Sequence, residues 1–133
     1  MNDENRVLQV EDLRTEFHTL GGVVRAVNGV SFHLDRGEVL GVVGESGCGK
    51  SVSMMSLLQL IPNPPGRVVD GTALLGDRDL LTMSQSEIRA IRSVEIGMIF
   101  QDPMTSLNPV LKIGIQIAEP LVEHKEMSWK AAL

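Results

Sequence analysis

The clearest chemical signal in this sequence is the stretch GESGCGKS at residues 44–51. Its Gly44, Gly49, Lys50 and Ser51 match the pattern G-x-x-x-x-G-K-[ST]. Glycines let the backbone turn tightly, so that successive N–H groups point inward at a phosphate. The lysine of this pattern reaches the β- and γ-phosphates, and the hydroxyl that follows it ligates Mg²⁺. The predicted phosphate-binding residues are Gly44, Glu45, Ser46, Gly47, Cys48, Gly49, Lys50, Ser51 and Val52.

A loop of this kind needs a buried strand before it and a helix after it. The run VLGVVG (39–44) is short and continuously apolar, as a strand buried on both faces should be. KSVSMMSLLQLI (50–61) has apolar residues at helical spacing, and the dipole of such a helix favours an anion at its N-terminus. A chance match in a glycine-rich turn would lack this context. The sequence therefore predicts nucleotide binding by this loop, with ATP and Mg²⁺ as the ligands.

Cys48 lies inside the loop and has two interpretations. Thiols at helix N-termini are often reactive, which suggests a redox switch. The alternative, which we favour, is a small residue that fills a loop position.

The elements around the loop follow from hydrophobic periodicity and turn residues. Before it, strands are predicted at 7–17, 19–27 and 27–35, with a Gly-Gly turn in the second run. After the helix at 50–61, which Pro62 should end, we expect a loop at 62–71 and a short strand at 72–76. The remaining predicted elements are a helix at 84–92 with a Ser84–Glu87 capping box, a buried strand at 96–101, a loop at 102–109, a helix at 110–124 and a further helix capped by Ser128.

Composition excludes several classes of protein. Apolar residues make up 43% of the 133, which is enough for a packed core and argues against intrinsic disorder. The net charge of −5, without a basic run, argues against nonspecific nucleic-acid binding. One cysteine cannot form an internal disulfide, and the three histidines lack metal-ligand spacing. The polar N-terminus is unlike a signal peptide, and no apolar run is long enough for a membrane helix, so we expect a cytoplasmic chain that reaches a membrane only through partners.

A second motif, IGMIFQDPMTSLNP at 96–109, narrows the kind of nucleotide-binding protein. Together with GESGCGKS followed by VS, and with RAVNGVSF and RGEVLGVVGESG before the loop, it resembles the ATP-binding subunits of ABC transporters. The similarity is greatest to the bacterial dipeptide/oligopeptide/nickel importer group, and KSVS and DPMTSLNPV resemble the first of its two paired ATPase subunits. It covers about residues 7–133.

The resemblance implies an α/β fold, the P-loop NTPase of the ABC ATPase type. This fold has a mostly parallel core sheet with an antiparallel β-layer, and the chain would be truncated before the signature and the Asp-Glu strand. Residues 1–133 would then be the N-terminal part of one nucleotide-binding domain. Its parts would be the antiparallel β-layer (7–35), the strand, phosphate loop and helix (36–61), a strand, helix and Q-loop segment (62–109), and the start of the helical subdomain (110–133).

The resemblance also assigns roles to residues outside the phosphate loop. Gln101 stands at the Q-loop glutamine, whose carbonyl oxygen ligates Mg²⁺, so Ser51 and Gln101 are the implied metal ligands. A solvated strand end is the alternative for Gln101. Phe17 is the best match to the aromatic residue that stacks on adenine, with core packing as the alternative. The loop at 102–109 would face the coupling helix of a permease. Its Met104 and Leu107 are apolar enough to dock, although core packing would also explain them.

The chain lacks parts that the family uses for hydrolysis. It has no LSGGQ-type signature, no apolar strand ending in Asp-Glu and no switch histidine, and Glu119, Glu123 and His124 are not stand-ins for them. No catalytic set is therefore complete in this chain, and we expect binding rather than turnover, because phosphoryl transfer depends on positioning and charge stabilisation around the γ-phosphate.

Three functions remain open. The leading one is part of an ATPase subunit at the cytoplasmic face of the bacterial inner membrane, which pairs with a second ATPase subunit and drives a permease served by a solute-binding protein. The second is a truncated nucleotide-binding or permease-docking module. The third, a soluble ABC ATPase in DNA repair or translation, is disfavoured by DPMTSLNPV. For either of the first two we expect apolar surface left exposed by missing strands.

Overall fold

The computed structural model describes residues 5–92, 94–102 and 107–133. These residues form two compact units, the first ending at Ser84 and the second beginning at Gln85. The elements of the first unit are β1 (Arg6–Thr19), β2 (Gly22–Asp35), α1 (Lys50–Leu57), β3 (Gly66–Leu75) and β4 (Arg78–Asp79). Those of the second are α2 (Gln85–Ile91), α3 (Ile113–Lys125) and α4 (Trp129–Ala132).

The four strands of the first unit form one antiparallel sheet in the order β2-β1-β3-β4. β1 and β2 are joined by a tight turn at Leu20 and Gly21, where the sequence predicts a Gly-Gly turn. The predicted strands at 19–27 and 27–35 form one continuous strand, β2. The central β1 pairs with β2 on one side and with β3 on the other, so its buried side chains lie in the core of this unit.

A β-bulge at Asp12 lets β1 direct more apolar residues into the core than strict alternation allows. Asp12 has a left-handed backbone (φ 46°), and the pairing with β2 shifts register between Val10 and Leu13. Residues three apart on a regular strand face opposite sides of a sheet, but here Val10 is 1% and Leu13 0% exposed. The Ser31 hydroxyl accepts a hydrogen bond from the Asp12 N–H at 2.9 Å and stabilises the bulge. Arg14 donates to the Asp12 carboxylate, which raises the pKa of Arg14 above its ordinary value.

α1 lies against β1, β2 and β3 and covers the inner face of the sheet. A polar contact is buried at this interface, where the hydroxyls of Thr15 and Ser56 are 2.8 Å apart and both residues are fully buried. The Ser56 hydroxyl also bonds to the carbonyl of Val52 at 2.7 Å. Because a buried hydroxyl without a partner is costly, this network favours one position of α1 on the sheet.

α1 ends at Leu57, so the predicted end of the helix at residue 61 is wrong. Gln59 adopts a left-handed backbone (φ 49°). Its N–H bonds to the carbonyl of Ser56, and the Leu60 N–H bonds to the carbonyl of Met55. This is the Schellman pattern, which closes a helix before any proline is reached. The Gln59 amide also donates to the carbonyls of Leu80 (2.8 Å) and Met83 (3.0 Å), which fixes the chain after the helix.

The chain then turns into β3 at Gly66, six residues before the predicted strand at 72–76. The sequence predicts a loop over residues 62–71, which contain three prolines and two glycines. From Gly66 onward their backbone instead pairs with β1, for example Val68 with Thr15. Pairing with a central strand thus overrides a local turn signal.

The strands predicted at 39–44 and 96–101 are not formed. Residues 38–45 have no strand assignment, and Val39 and Val43 are 94% and 93% exposed. In the second unit, an isolated parallel bridge joins Arg92 to Ile96, and Ile99 is 99% exposed. A strand buried on both faces needs neighbours on both sides. Among the described residues, none pairs with either segment outside that bridge, so the expected exposed apolar surface is confirmed.

The second unit contains the three helices that the sequence predicts, with shorter bounds. α3 begins at Ile113 rather than 110, after a segment that the Gln116 side chain fixes: it accepts from the Asn108 N–H (2.7 Å) and donates to the Leu111 carbonyl (2.9 Å). Ser128 is the N-cap of α4, although its side chain makes no capping hydrogen bond. No helix in the described part of the chain combines the length and the hydrophobicity required to cross a membrane.

Candidate functional site

The loop at 44–51 leads directly into the first turn of α1. Gly49 is the N-cap with a left-handed backbone (φ 94°), and Gly47 is also left-handed (φ 79°). No side chain caps the helix at this end. The first N–H groups of a helix have no partner within it, so they stay directed at the space in front of Gly49. This end of α1 is therefore built to accept an anion.

The Lys50 side chain folds back across the loop. Its Nζ donates to the carbonyl of Gly44 at 2.7 Å and to that of Glu45 at 2.6 Å, and it lies 3.4 Å from the sulfur of Cys48. Among the described residues, no carboxylate lies within ion-pair distance of this ammonium. The Lys50 ammonium is therefore held by the dipoles of backbone carbonyls. Its positive charge can still attract a negatively charged group.

Close contacts leave no space for side chains at two glycines of the loop. A Cβ on Gly44 would lie 2.6 Å from the Cys48 sulfur. A Cβ on Gly49 would contact the backbone carbonyl of Ala26 in β2. The Gly49 carbonyl accepts hydrogen bonds from the N–H and the hydroxyl of buried Ser53, at 2.8 and 3.0 Å. The loop is thereby fixed between β2 and the first turn of α1.

Cys48 is exposed, and its sulfur packs against the loop backbone and the Lys50 ammonium. This is the arrangement expected of a small residue that fills the loop. Redox sensitivity stays an untested alternative.

The predicted metal ligands lie in different units. Ser51 is exposed on the first turn of α1 in the first unit. Gln101 is exposed in the second unit and follows residues that form no strand, so its predicted position at a strand end is wrong. Their pairing on one ion stays a prediction. The open helix end, the loop dipoles and the Ser51 hydroxyl nevertheless fit a nucleotide with Mg²⁺, whose phosphate oxygens would complete the set of hard ligands.

Phe17 lies on the face of the sheet that α1 covers. It pairs with Val24 of β2 and with Gly66 of β3, and it is two residues from Thr15, which contacts α1. Gly49 lies against Ala26, which is two residues from Val24, the partner of Phe17. The loop at 44–51 and Phe17 are therefore both next to this part of β2. The Phe17 side chain is half-buried, and Val24 beside it is 54% exposed.

The predicted docking loop at 102–109 is described only in part. Pro103 and Met104 lie outside the described residues, while Leu107 is 47% exposed. Docking of this loop to a permease stays a prediction. The helical residues Glu119, Glu123 and His124 are on α3.

Three features of the site have no signal in the sequence. These are the Gly44 and Glu45 carbonyls that hold Lys50, the contact of Gly49 with Ala26, and the glycine at 66 beneath Phe17. The first is a backbone feature that any residue type could supply. The other two depend on which strands become neighbours. For the contact of Gly49, the sequence motif indicates only that position 49 requires a glycine. It does not indicate that Ala26 is the neighbour.

Comparison with known proteins agrees with this geometry. The model of the family described as "ABC transporter" matches residues 27–132. The oligopeptide transport ATP-binding protein OppD of Bacillus subtilis (strain 168) is 53% identical over 127 residues, covering 96% of this chain and 36% of that protein. The dipeptide transport ATP-binding protein DppD of the same organism is 52% identical over 127 residues, covering 96% and 38%.

Among solved structures, the dimeric post-hydrolysis state of the ATP-binding cassette MJ0796 bound to ADP and Pi is similar to this fold. The TM-score is 0.76 at 18% sequence identity, over 94% of this chain and 52% of that one. This similarity confirms the predicted fold, which is that of an ABC ATPase. The chain spans little more than a third of the length of the curated relatives it matches. Because the family model matches residues 27–132, which are most of this chain, the chain belongs to the ABC transporter family.

Proposed function

We propose that this chain binds MgATP through residues 44–52. The observation that carries the proposal is the Lys50 ammonium held at the centre of the loop by the carbonyls of Gly44 and Glu45. Beside it the uncapped N-terminus of α1 offers N–H donors. The Lys50 ammonium and the helix N–H groups thus both produce a positive potential in front of Gly49. A polyphosphate is the biological anion that can bind to both.

The other residues of the proposed site have distinct roles. Lys50 pairs with the β- and γ-phosphates, and the Ser51 hydroxyl ligates Mg²⁺ with Gln101 as the second protein ligand. Phe17 stacks on the adenine. When bound, the nucleotide supplies the free energy that closes two such subunits on each other. The residues of this chain bind it, orient its phosphates and shield part of its base.

For the whole protein we propose ATP binding and hydrolysis that energise the import of peptides or a related small solute. The names of the relatives, an oligopeptide and a dipeptide transport ATP-binding protein, support this class of substrate. The partners would be a second ATPase subunit, as in the dimeric MJ0796 structure, and a permease that contacts the 102–109 loop. A solute-binding protein would act indirectly. The site of action would be the cytoplasmic face of the cell membrane, with peripheral attachment.

The second candidate function is a nucleotide-binding or permease-docking module without ATPase activity. Residues 1–133 include the phosphate-binding pattern but neither a signature motif nor a strand that ends in Asp-Glu, and phosphoryl transfer depends on charge stabilisation around the γ-phosphate. Phosphate release separates the two proposals, because only a protein that contains those motifs should turn ATP over.

A series of nucleotides tests phosphate recognition. We expect MgATP and MgADP to bind one site, and AMP to bind at least about 100-fold more weakly. AMP cannot reach Lys50 and the helix N–H groups, and each lost charge-assisted hydrogen bond costs about 1.5–3 kcal/mol. Isothermal titration calorimetry with the 133-residue chain gives the three dissociation constants. Equal affinity for AMP and ATP would show that the loop does not bind the phosphates.

A further inference from the structure

The ring of Phe17 lies over a residue that has no side chain. Phe17 pairs with Gly66, which is buried at the start of β3. A Cβ on Gly66 would lie 2.7 Å from Cε1 and 3.0 Å from Cδ1 of the Phe17 ring, and it would also contact the side chain of Ile61. The ring therefore fills the space that any other residue at position 66 would occupy. An aromatic side chain that covers a cross-strand glycine is a recognised way of packing a sheet.

The turn that carries Ile61 and Gly66 is fixed to the end of β1. The Gly66 N–H bonds to the carbonyl of Pro62 at 2.8 Å and closes the turn. The N–H of His18, the residue after Phe17, bonds to the carbonyl of Pro65 at 2.9 Å. The backbone on both sides of the ring is thus held, and the ring and the Ile61 side chain both border the space that a Cβ on Gly66 would occupy. On its other side lies Val24, which is half exposed.

We propose that Gly66 and Ile61 are positioning residues for the nucleobase. They hold the Phe17 ring in one orientation, with one side covered and the other open to the adenine. This inference rests on the proposed function, because it requires that the nucleotide of the phosphate loop places its base on Phe17. It adds that the glycine at 66 contributes to nucleotide affinity without contacting the nucleotide.

Gly66→Ala should weaken binding of the base and leave binding of the phosphates unchanged. Gly66 has no positive φ, so alanine fits the backbone and its effect is steric only. The new methyl group would push the ring from its position. Stacking of a base on an aromatic side chain is worth about 1–3 kcal/mol, so we expect MgATP to bind on the order of tenfold more weakly. Magnesium tripolyphosphate, which has no base, should bind as it does to the unchanged chain.

The experiment measures the affinities of MgATP and magnesium tripolyphosphate for a set of variants. The set contains Gly66→Ala, Phe17→Leu, the double variant and a control, Gly21→Ala. In the part of the chain that the structure describes, a single atom comes within 4 Å of the would-be Cβ of Gly21, at 3.8 Å. The inference predicts a similar loss of MgATP affinity in the two single variants. The double variant should lose no more than Phe17→Leu alone, since both changes remove one contact. Gly21→Ala should match the unchanged chain.

Two results would overturn the inference. One is full MgATP affinity in Gly66→Ala, and the other is an additive loss in the double variant. If Gly66→Ala does not fold, Ile61→Ala replaces it, because it removes the support of the ring without a clash. That variant should also weaken MgATP binding and spare tripolyphosphate, and unchanged MgATP affinity would again contradict us. Failure of the unchanged chain to bind tripolyphosphate would instead contradict the proposed phosphate site.

Discussion

Lys50→Ala is expected to abolish MgATP binding while the chain stays folded. Among the residues that the structure describes, the ammonium contacts the carbonyls of Gly44 and Glu45 and the sulfur of Cys48, all within the loop. Removing it deletes the positive charge between these carbonyls and releases both of them. The loss of charge-assisted hydrogen bonds to two phosphates should weaken binding by at least about 100-fold. Thermal unfolding with and without MgATP measures this as a lost shift of the midpoint.

The matched control for this variant is Lys130→Ala, which removes the same charge from an exposed position in α4. Its midpoint should shift with MgATP as in the unchanged chain. Lys50→Arg is a second comparison, because arginine keeps the charge but replaces a compact ammonium with a larger planar group. Equal stabilisation of the unchanged chain and Lys50→Ala by MgATP would contradict the assignment of Lys50.

Gly49→Ala is expected to cost both stability and nucleotide binding. Gly49 has a backbone φ of 94°, and a Cβ there would contact the backbone carbonyl of Ala26. A strained φ in a residue other than glycine costs of order 1–3 kcal/mol, and displacement of a backbone in a packed region adds a similar amount. We therefore expect the free energy of unfolding to fall by about 2–6 kcal/mol. Urea denaturation followed by circular dichroism gives this value.

Gly47→Ala separates strain from steric contact. Gly47 is in the same loop and also has a positive φ of 79°, but no described residue outside its chain neighbours comes within 4 Å of its would-be Cβ. Gly47→Ala should lower the free energy of unfolding only by the cost of the strained φ, about 1 kcal/mol. The difference between the two variants measures the contact of the loop with β2. Equal losses of stability would mean that this contact does not hold the loop.

The turn at 44–51 and the start of α1 were predictable because their requirements are local, while phosphate binding by this loop stays a prediction. Two glycines, a lysine and a hydroxyl at fixed spacing determine the turn and the helix start, and the structure places Gly49 and Lys50 at that start. The strands β1 and β2 were predictable from their hydrophobic pattern, although the bulge at Asp12 breaks the alternation of β1. Along β2, Phe32 and Leu34 are partly buried while Ser31 and His33 are exposed.

Features that depend on distant partners were not predictable. The bulge at Asp12 relies on Ser31 in another strand, and the early end of α1 relies on Gln59, which also bonds to Leu80. The strand at 39–44 has the composition of a buried strand, but a strand exists only where neighbours pair with it. The support of Phe17 by Gly66 follows from the β1–β3 register, which neither segment encodes alone.

The most direct test of the phosphate site is a titration of the ¹⁵N-labelled chain with MgATP, followed by two-dimensional amide NMR. The proposal predicts that the largest and saturable shifts occur at the amides of residues 44–52, since their N–H groups would bond to the phosphates. Smaller shifts are expected near Phe17. A folded chain whose spectrum is unchanged by MgATP, or whose shifts lie only outside residues 44–52, would contradict the proposed function.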